Sequence, residues 1–426
     1  MASQPDPEPF PWHLGVYDAH CHPTDTMSSI AHLPTIHTRC LTVMGTRGQD
    51  QSLVTQVAAQ YGVQSADVTK WSRSECMVPS FGWHPWFAHL MYIEETSESR
   101  THDEDGSKTG TEATLQGEAK IRHYQNVLQP SRDPPSEEHK QIFLSLPDPT
   151  PLSIFLIRTH ANLQSNPHAL IGEIGLDRSF RIPSPNPSSA PSRDSSLTPG
   201  GREGRPLTPF RCHPAHQKAL FKAQLQLAAE MGRAVSIHSV QAHGMVFETL
   251  RELWTGHERR VLSKREKKKK KKRGTDQASV EAQIDGEKDG DGEGGAGDAR
   301  EERETENPPY PTRICLHSYS GNASNFKQYL NPATPLSVFA SFSSAINLGD
   351  ALGDETPPAF VDVVRAVPDH MLLVESDLHV AGEEMDRRME DIVRRVCAIK
   401  GWGLDEGVRR LGRNWRRFVF GDEAGG

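Results

Sequence analysis

Eight short apolar runs recur along the chain, at residues 15–20, 39–45, 77–83, 169–175, 234–238, 312–317, 337–341 and 371–375. They are rich in β-branched residues and lack strict polar alternation, as strands covered on both faces do. Helical patterns lie between them, at 52–61, 152–163, 216–231, 244–253, 322–330, 359–367, 383–400 and 404–418. In the clearest, Leu220, Phe221, Leu225, Leu227 and Ala228 form one apolar face and Gly232 supplies a stop signal. Strand and helix in alternation predict an α/β fold with a parallel sheet. Eight repeats fit a single (β/α)8 TIM-like barrel better than a doubly wound sheet, with an open sheet as the alternative.

Three stretches interrupt the pattern. Residues 94–140 are polar with few apolar anchors, 181–210 are rich in Ser, Pro, Arg and Gly, and 256–309 run from basic to acidic. Hydrophobic residues make up only 35% of the chain, which is low for a compact enzyme. None of the three stretches carries enough apolar surface to offset its ordering entropy, so all three are expected to be disordered insertions. Removing them leaves about 300 residues, a comfortable size for one barrel. The basic run Lys264–Arg273 reads either as a nuclear-localisation or nucleic-acid patch or as a solvated charge run, and the acidic stretch beside it favours the second.

The net charge of −8 argues against a generally basic nucleic-acid surface. The six cysteines are scattered without CxxC pairs, which suits reduced thiols in an intracellular protein, cytoplasmic or nuclear. The acidic, Pro-rich start has no apolar h-region, and no apolar run is long enough to span a membrane, so no membrane partner is expected.

The chemistry gathers at strand ends. Asp18, His20 and His22 in DAHCH share one face of the first strand, because side chains two apart point the same way. Two imidazoles at that spacing can reach one metal ion, and a nearby carboxylate can orient one of them. With 20 histidines in the chain this pair has little weight alone. Later strands, however, end in Glu173, His238, His317 and Asp377. Barrel enzymes place their chemistry at these C-terminal strand ends. Six metal-competent groups at the ends of five strands are hard to explain as structural filler.

Read together, DAHCHP (18–23), GWHPW (82–86), IGEIGLD (171–177), the helix and strand over 216–239, CLHSYSG (315–321), ESD (375–377) and LGRNWRRFVFG (411–421) resemble the TatD-type metal-dependent hydrolases of the amidohydrolase superfamily. The motifs follow the family order over 13–421. The resemblance implies a TIM-like barrel, one or two divalent ions (Zn, Mn or Mg) and hydrolysis by a metal-activated water, most often of nucleic-acid phosphodiesters. It implies His20, His22 and Asp377 around one ion, His238 and His317 around the other, and Glu173 bridging, with Asp377 and Glu173 catalytic. It also implies His84 as a substrate contact, with Asp18 and Asp177 as supporting hydrogen-bond partners. His379 reads as accidental beside the site, and His213, His216 and His243 as surface or rim residues.

Two motifs depart from the family wording. Family members commonly carry Arg and Asp after the strand His, where this chain has Val240 and Gln241. The last motif commonly continues with Ala/Ser-Pro, where this chain has Leu378 and His379. The ligand positions are kept while neighbours that would face substrate differ. The wording DLHVAGEEMD and the long insertions resemble a fungal branch described as interacting with a subunit of the anaphase-promoting complex. A DNase-like phosphodiesterase is therefore the first expectation. An adaptor on a retained barrel that docks this cell-cycle partner is the alternative, and amide or ester hydrolysis is a third reading.

Overall fold

The computed structural model describes residues 8–94, 114–184, 206–261, 307–349 and 355–422. Eight parallel strands follow one another around a barrel in chain order: β1 Tyr17–Cys21, β2 Cys40–Met44, β3 Met77–Phe81, β4 Leu170–Asp177, β5 Val235–Val240, β6 Arg313–Leu316, β7 Ser337–Phe342 and β8 Leu372–Val374. Every expected strand is present. The intervening helices are α1 Gly48–Tyr61, α2 Gly117–Val127, α3 Glu137–Ser145, α4 Leu152–Ser165, α5 Pro214–Glu230, α6 His243–Trp254, α7 Ala323–Lys327, α8 Ser344–Asn347, α9 Pro358–Ala366, α10 Glu383–Lys400 and α11 Leu404–Phe420.

Period-two alternation divides each strand between two cores. One face sends Leu41, Val43, Val235, Ile237, Ile314, Leu316, Leu372 and Val374 into the main core, which includes Val54 and Val57 of α1 and Leu225 and Ala228 of α5. The other sends Cys40, Val78, Leu170, Ala234, Cys315, Phe339 and Leu373 into a second cluster. The amphipathic α11 plugs that cluster with Trp415 and Phe418. Trp415 stacks on Tyr17 with ring centroids 4.6 Å apart, and its Nε1 donates to Thr42 Oγ1 at 3.1 Å. The face that carries Ala234 and Cys315 reappears two and four residues on as Ser236, His238 and His317. The strand pattern that builds the floor therefore also builds the site above it.

The β8–β1 seam closes through a side chain. Asp18 is fully buried, and its carboxylate accepts from the backbone N–H groups of His20 (3.0 Å) and Ser376 (3.1 Å) and from Ser376 Oγ (2.5 Å). Backbone bonds from Asp377 N to His20 O (3.0 Å) and from His22 N to Leu378 O (2.8 Å) complete the seam. Gly175 allows β4 and β5 to meet closely: its φ is +149°, and a Cβ there would lie 2.0 Å from the His238 carbonyl oxygen.

The stretch 94–140 differs from its expectation. Its described part forms α2 and the start of α3, and Ile121, Tyr124, Val127 and Leu128 share a small core with Phe143, Leu146, Ile182 and Phe210. Those partners lie outside the stretch, so its own composition understates what it can bury. The flanks of 181–210 are likewise ordered, by the bridge between Pro183 and Leu207 and by Ile182 and Phe210. The remaining disorder expectations, at 95–113, 185–205 and 262–306, lie outside the described residues, as does the basic run Lys264–Arg273. All six cysteines are buried and unbridged. Among the described residues no helix is long and apolar enough to cross a membrane.

Candidate metal centre

Glu173 on β4 sits at the middle of the barrel mouth, with nitrogen atoms on two sides of its carboxylate. Oε2 lies 3.4 Å from His20 Nε2 and 3.3 Å from His22 Nε2. Oε1 lies 2.8 Å from His238 Nδ1, 2.8 Å from His317 Nε2 and 3.0 Å from His84 Nε2. Asp377, just beyond β8, brings Oδ1 to 3.8 Å from His20 Nε2 and 3.4 Å from His22 Nε2. The structure thus gathers all six expected ligands, His20, His22, Glu173, His238, His317 and Asp377, around one point.

The donor set fits divalent metal. Metal–ligand bonds of 2.0–2.1 Å at tetrahedral angles separate ligand atoms by about 3.3 Å. His20 Nε2, His22 Nε2, Glu173 Oε2 and Asp377 Oδ1 approach one another at 3.1 to 3.8 Å. On the other side, His238 Nε2 faces Asp177 Oδ2 at 3.1 Å. With Asp177 ionised, that nitrogen carries the proton, and Nδ1 presents a lone pair to Glu173 Oε1 and to His317 Nε2 at 3.2 Å. Convergent lone pairs of this kind repel unless a proton or a cation lies between them. The buried His22 Nδ1 and His317 Nδ1 have no hydrogen-bond partner.

The electrostatics agree. Burial alone would raise the Glu173 carboxyl, but the His84, His317 and His20 rings hold it well below the usual carboxylate range. Burial likewise opposes ionisation of Asp377, and the His22, His20 and His317 rings overcome it and keep that carboxyl low. Burial pulls His22 and His317 down, yet contact with Glu173 and the neighbouring carboxylates Asp377 and Glu375 raises both well above the imidazole range. His238 is raised too, as hydrogen bonds to Asp177 and Glu173 outweigh its burial. His20 is lowered, by burial and by the neighbouring His317. The pocket is therefore tuned to hold positive charge against ionised carboxylates.

The supporting residues sort differently from expectation. Asp177 does hold a candidate ligand: besides His238 it accepts from Trp86 Nε1 at 2.6 Å. Asp18 reaches only backbone and Ser376, so it closes the barrel and does not orient an imidazole. Burial pushes its carboxyl up to about 7. The partner of the His20 ring is Ser236, whose Oγ lies 2.8 Å from Nδ1. The sequence signal for Ser236 was its place two residues before His238 on the same strand face. Glu375, read only as part of the ESD motif, accepts from Ser318 N (2.8 Å) and Ser318 Oγ (2.5 Å). His84 Nδ1 accepts from Trp86 N at 3.1 Å, so Nε2 carries the hydrogen and points a donor at Glu173. Burial drives His84 down to about 4, which keeps it a neutral donor. Among the described residues, three that are not glycine adopt left-handed backbone, Gln241 (φ 53°), Ser318 (φ 36°) and Asp377 (φ 54°), each at or shortly after a candidate ligand.

A cavity of about 420 Å³ opens above the centre, lined among others by Arg47, His84, Trp86, Phe87, Val240, Ser318 and His379. Trp86 stacks on Phe180 with centroids 4.7 Å apart. Trp83 instead packs in the core against Phe155. His379 is paired with Asp25 at 2.6 Å and stacked on His22, so it belongs to the cavity rim and not to an unrelated surface. His216 is tied down by Ala88 O and Met91 O, and His243 meets Ser239 Oγ at 3.1 Å. His213 caps α5, its Nδ1 accepting from Ala215 N.

The family model described as TatD related DNase matches residues 17–419. This chain belongs to the TatD family. A TatD-type hydrolase barrel accounts for the run of eight strands and for the ligand-bearing strand ends. Among similar proteins, the Cut9-interacting protein scn1 of Schizosaccharomyces pombe is 31% identical over 404 residues, covering 95% of this chain and 98% of that one. The uncharacterized deoxyribonuclease YMR262W of Saccharomyces cerevisiae is 24% identical over 299 residues, covering 70% of this chain and 64% of that one. Of solved structures, YJJV, a TatD homolog from Escherichia coli, overlaps 96% of this chain and 98% of its own at 14% identity, with a TM-score of 0.46.

Proposed function

We propose that this TatD-type hydrolase is a divalent-metal-dependent phosphodiesterase acting on DNA. One observation carries the proposal: a single carboxylate, Glu173, offers Oε2 to one pair of histidines and Oε1 to another. His20, His22 and Asp377 would hold one ion, His238 and His317 the second, and Glu173 both. The imidazole-rich set suits zinc or manganese, with magnesium suited to the carboxylates. Such ions, when bound, would supply Lewis acidity that makes a water easier to deprotonate and offsets charge on a phosphoryl oxygen.

The chain's own groups supply the rest. Asp377, ionised and at the cavity floor, accepts the proton released by the attacking water. Neutral His84 carries one donor, Nε2–H, which faces Glu173 at 3.0 Å and would turn to the phosphate once metal engages Glu173. Asp177, itself gripped by Trp86, fixes the His238 ring so that one defined nitrogen faces inward.

Metal content of the purified protein, together with a screen of single-stranded DNA, RNA, simple phosphodiesters and carboxylic esters under added Zn2+, Mn2+ or Mg2+, tests the proposal. Release of nucleotides from DNA, abolished in Glu173→Ala and Asp377→Ala, is the expected result. No turnover on any phosphodiester refutes it, and ester or amide turnover alone replaces it.

A second reading is supported by the name of the S. pombe relative, an interactor of Cut9, at near full-length overlap. On this reading the barrel also docks a subunit of the anaphase-promoting complex. Co-purification with that subunit, retained in Asp377→Ala, is expected. Failure to recover it from cells removes this reading without touching the first.

A further inference from the structure

Among the described residues, Arg47 is the one lysine or arginine lining the cavity. It follows β2 and precedes α1, with extended backbone (φ −162°, ψ 177°). Its side chain is only 10% exposed, so a permanent charge has been taken almost wholly out of solvent. Buried arginines ordinarily spend their donors on acceptors. Arg47 Nε has none. Its charged neighbour, Asp50, lies 3.5 Å away without hydrogen-bond geometry, and the other Asp50 oxygen is taken by Thr46 Oγ1. The guanidinium carbon instead sits 4.4 Å from the centre of the Phe87 ring, which also lines the cavity. Stacking on an aromatic face fixes the guanidinium plane and leaves its N–H edge free. A fork held in this way, in the same cavity as Glu173 and Asp377, matches the oxygens of a phosphate.

We propose that Arg47 grips a phosphate oxygen of the nucleic-acid substrate in the cavity above the metal centre. This deepens the phosphodiesterase reading, on which the identity of the anion rests. It assigns the substrate-side positive charge to the β2–α1 connection, while the wall formed by the end of β5 is apolar at Val240.

Titration calorimetry of the full-length, chelator-treated protein with thymidine 5′-monophosphate and with thymidine tests the proposal. The wild type is expected to bind the nucleotide at least tenfold more tightly than the nucleoside. Arg47→Met keeps the apolar stem, and it should weaken nucleotide binding 10- to 100-fold while leaving thymidine unchanged. Arg47→Lys keeps the charge and loses the fork, and it should fall between the two. Nucleotide affinity in Arg47→Met within twofold of wild type overturns the proposal, as does a wild type that does not distinguish the two ligands. If Arg47→Met does not fold, Arg47→Lys decides, and wild-type affinity there overturns the proposal. DNA turnover with added metal reads the hydrolase proposal separately. Turnover alongside Arg47-independent binding removes only Arg47, and Arg47-dependent binding without turnover removes only the hydrolase.

Discussion

Replacing Asp18 distinguishes closure of the barrel from orientation of a metal ligand. The carboxylate accepts three hydrogen bonds from donors that are themselves fully buried: His20 N and Ser376 N on Oδ1, and Ser376 Oγ on Oδ2. Asp18→Ala leaves all three donors without a partner. At about 1–2 kcal/mol for each orphaned buried donor, the loss is about 3–6 kcal/mol. That is a large share of a typical folding free energy of 5–15 kcal/mol. Asp18→Asn behaves differently. Its amide oxygen keeps both backbone bonds, and its NH2 group can donate to Ser376 Oγ, so it is expected within about 1 kcal/mol of wild type. Urea unfolding of chelator-treated protein, followed by far-ultraviolet circular dichroism, reads both variants. With an m-value of about 3 kcal/mol/M, the alanine variant should unfold about 1–2 M earlier. A midpoint shift below 0.3 M in the alanine variant, or equal damage from both substitutions, would refute the acceptor argument.

Other outcomes follow from the same geometry. Ser236→Ala removes the 2.8 Å contact to His20 Nδ1 and should lower metal affinity about 10- to 100-fold, read by competition with a chromophoric chelator at unchanged circular dichroism. Glu173→Gln keeps the shape but not the charge, and should reduce both metal stoichiometry, measured by elemental analysis, and turnover. His89 and His216 are held down by burial and by neighbouring histidines, to about 3 and about 4. In the unfolded chain they titrate near the ordinary 6.5, so below that pH the unfolded state takes up protons that the folded state refuses. Stability should fall as the pH drops from 6.5 toward 4, by about 2 kcal/mol per histidine at pH 5, and His216→Gln should flatten the fall in thermal melts. Trp86→Phe loses the donor to Asp177 and should weaken metal retention, whereas Trp83→Phe should cost stability alone.

The barrel could be read from the chain because every strand carries its apolar signal locally, and strand ends are where barrel chemistry gathers. Glu173, His238 and His317 were visible because each lies within or at the end of such a run. Ser236 and Arg47 were not: the spacing of Ser236 from His238 gives it the right strand face but no partner, and an arginine after a strand has no distinguishing local pattern. Their roles exist only once β5 faces β1 across the barrel and Phe87 lies under a guanidinium. Asp18 was misassigned for a related reason: spacing puts it on the face of His20 and His22, but only barrel closure shows that β8 takes up its oxygens first. The helices of 114–145 escaped notice because part of their core is supplied by Ile182 and Phe210, across a long stretch of chain.

The left-handed backbones of Gln241, Ser318 and Asp377 imply a tension between durability and activity. Each such residue costs about 1–3 kcal/mol relative to a relaxed one, and glycine would release most of that cost. A barrel relieved of this strain would be the sturdier scaffold, and its rim would no longer hold His317 and Asp377 at a fixed aim. Directed selection for heat resistance alone should therefore enrich glycine at 241 and 318 and erode the metal centre. Selection for turnover should restore the strained residues.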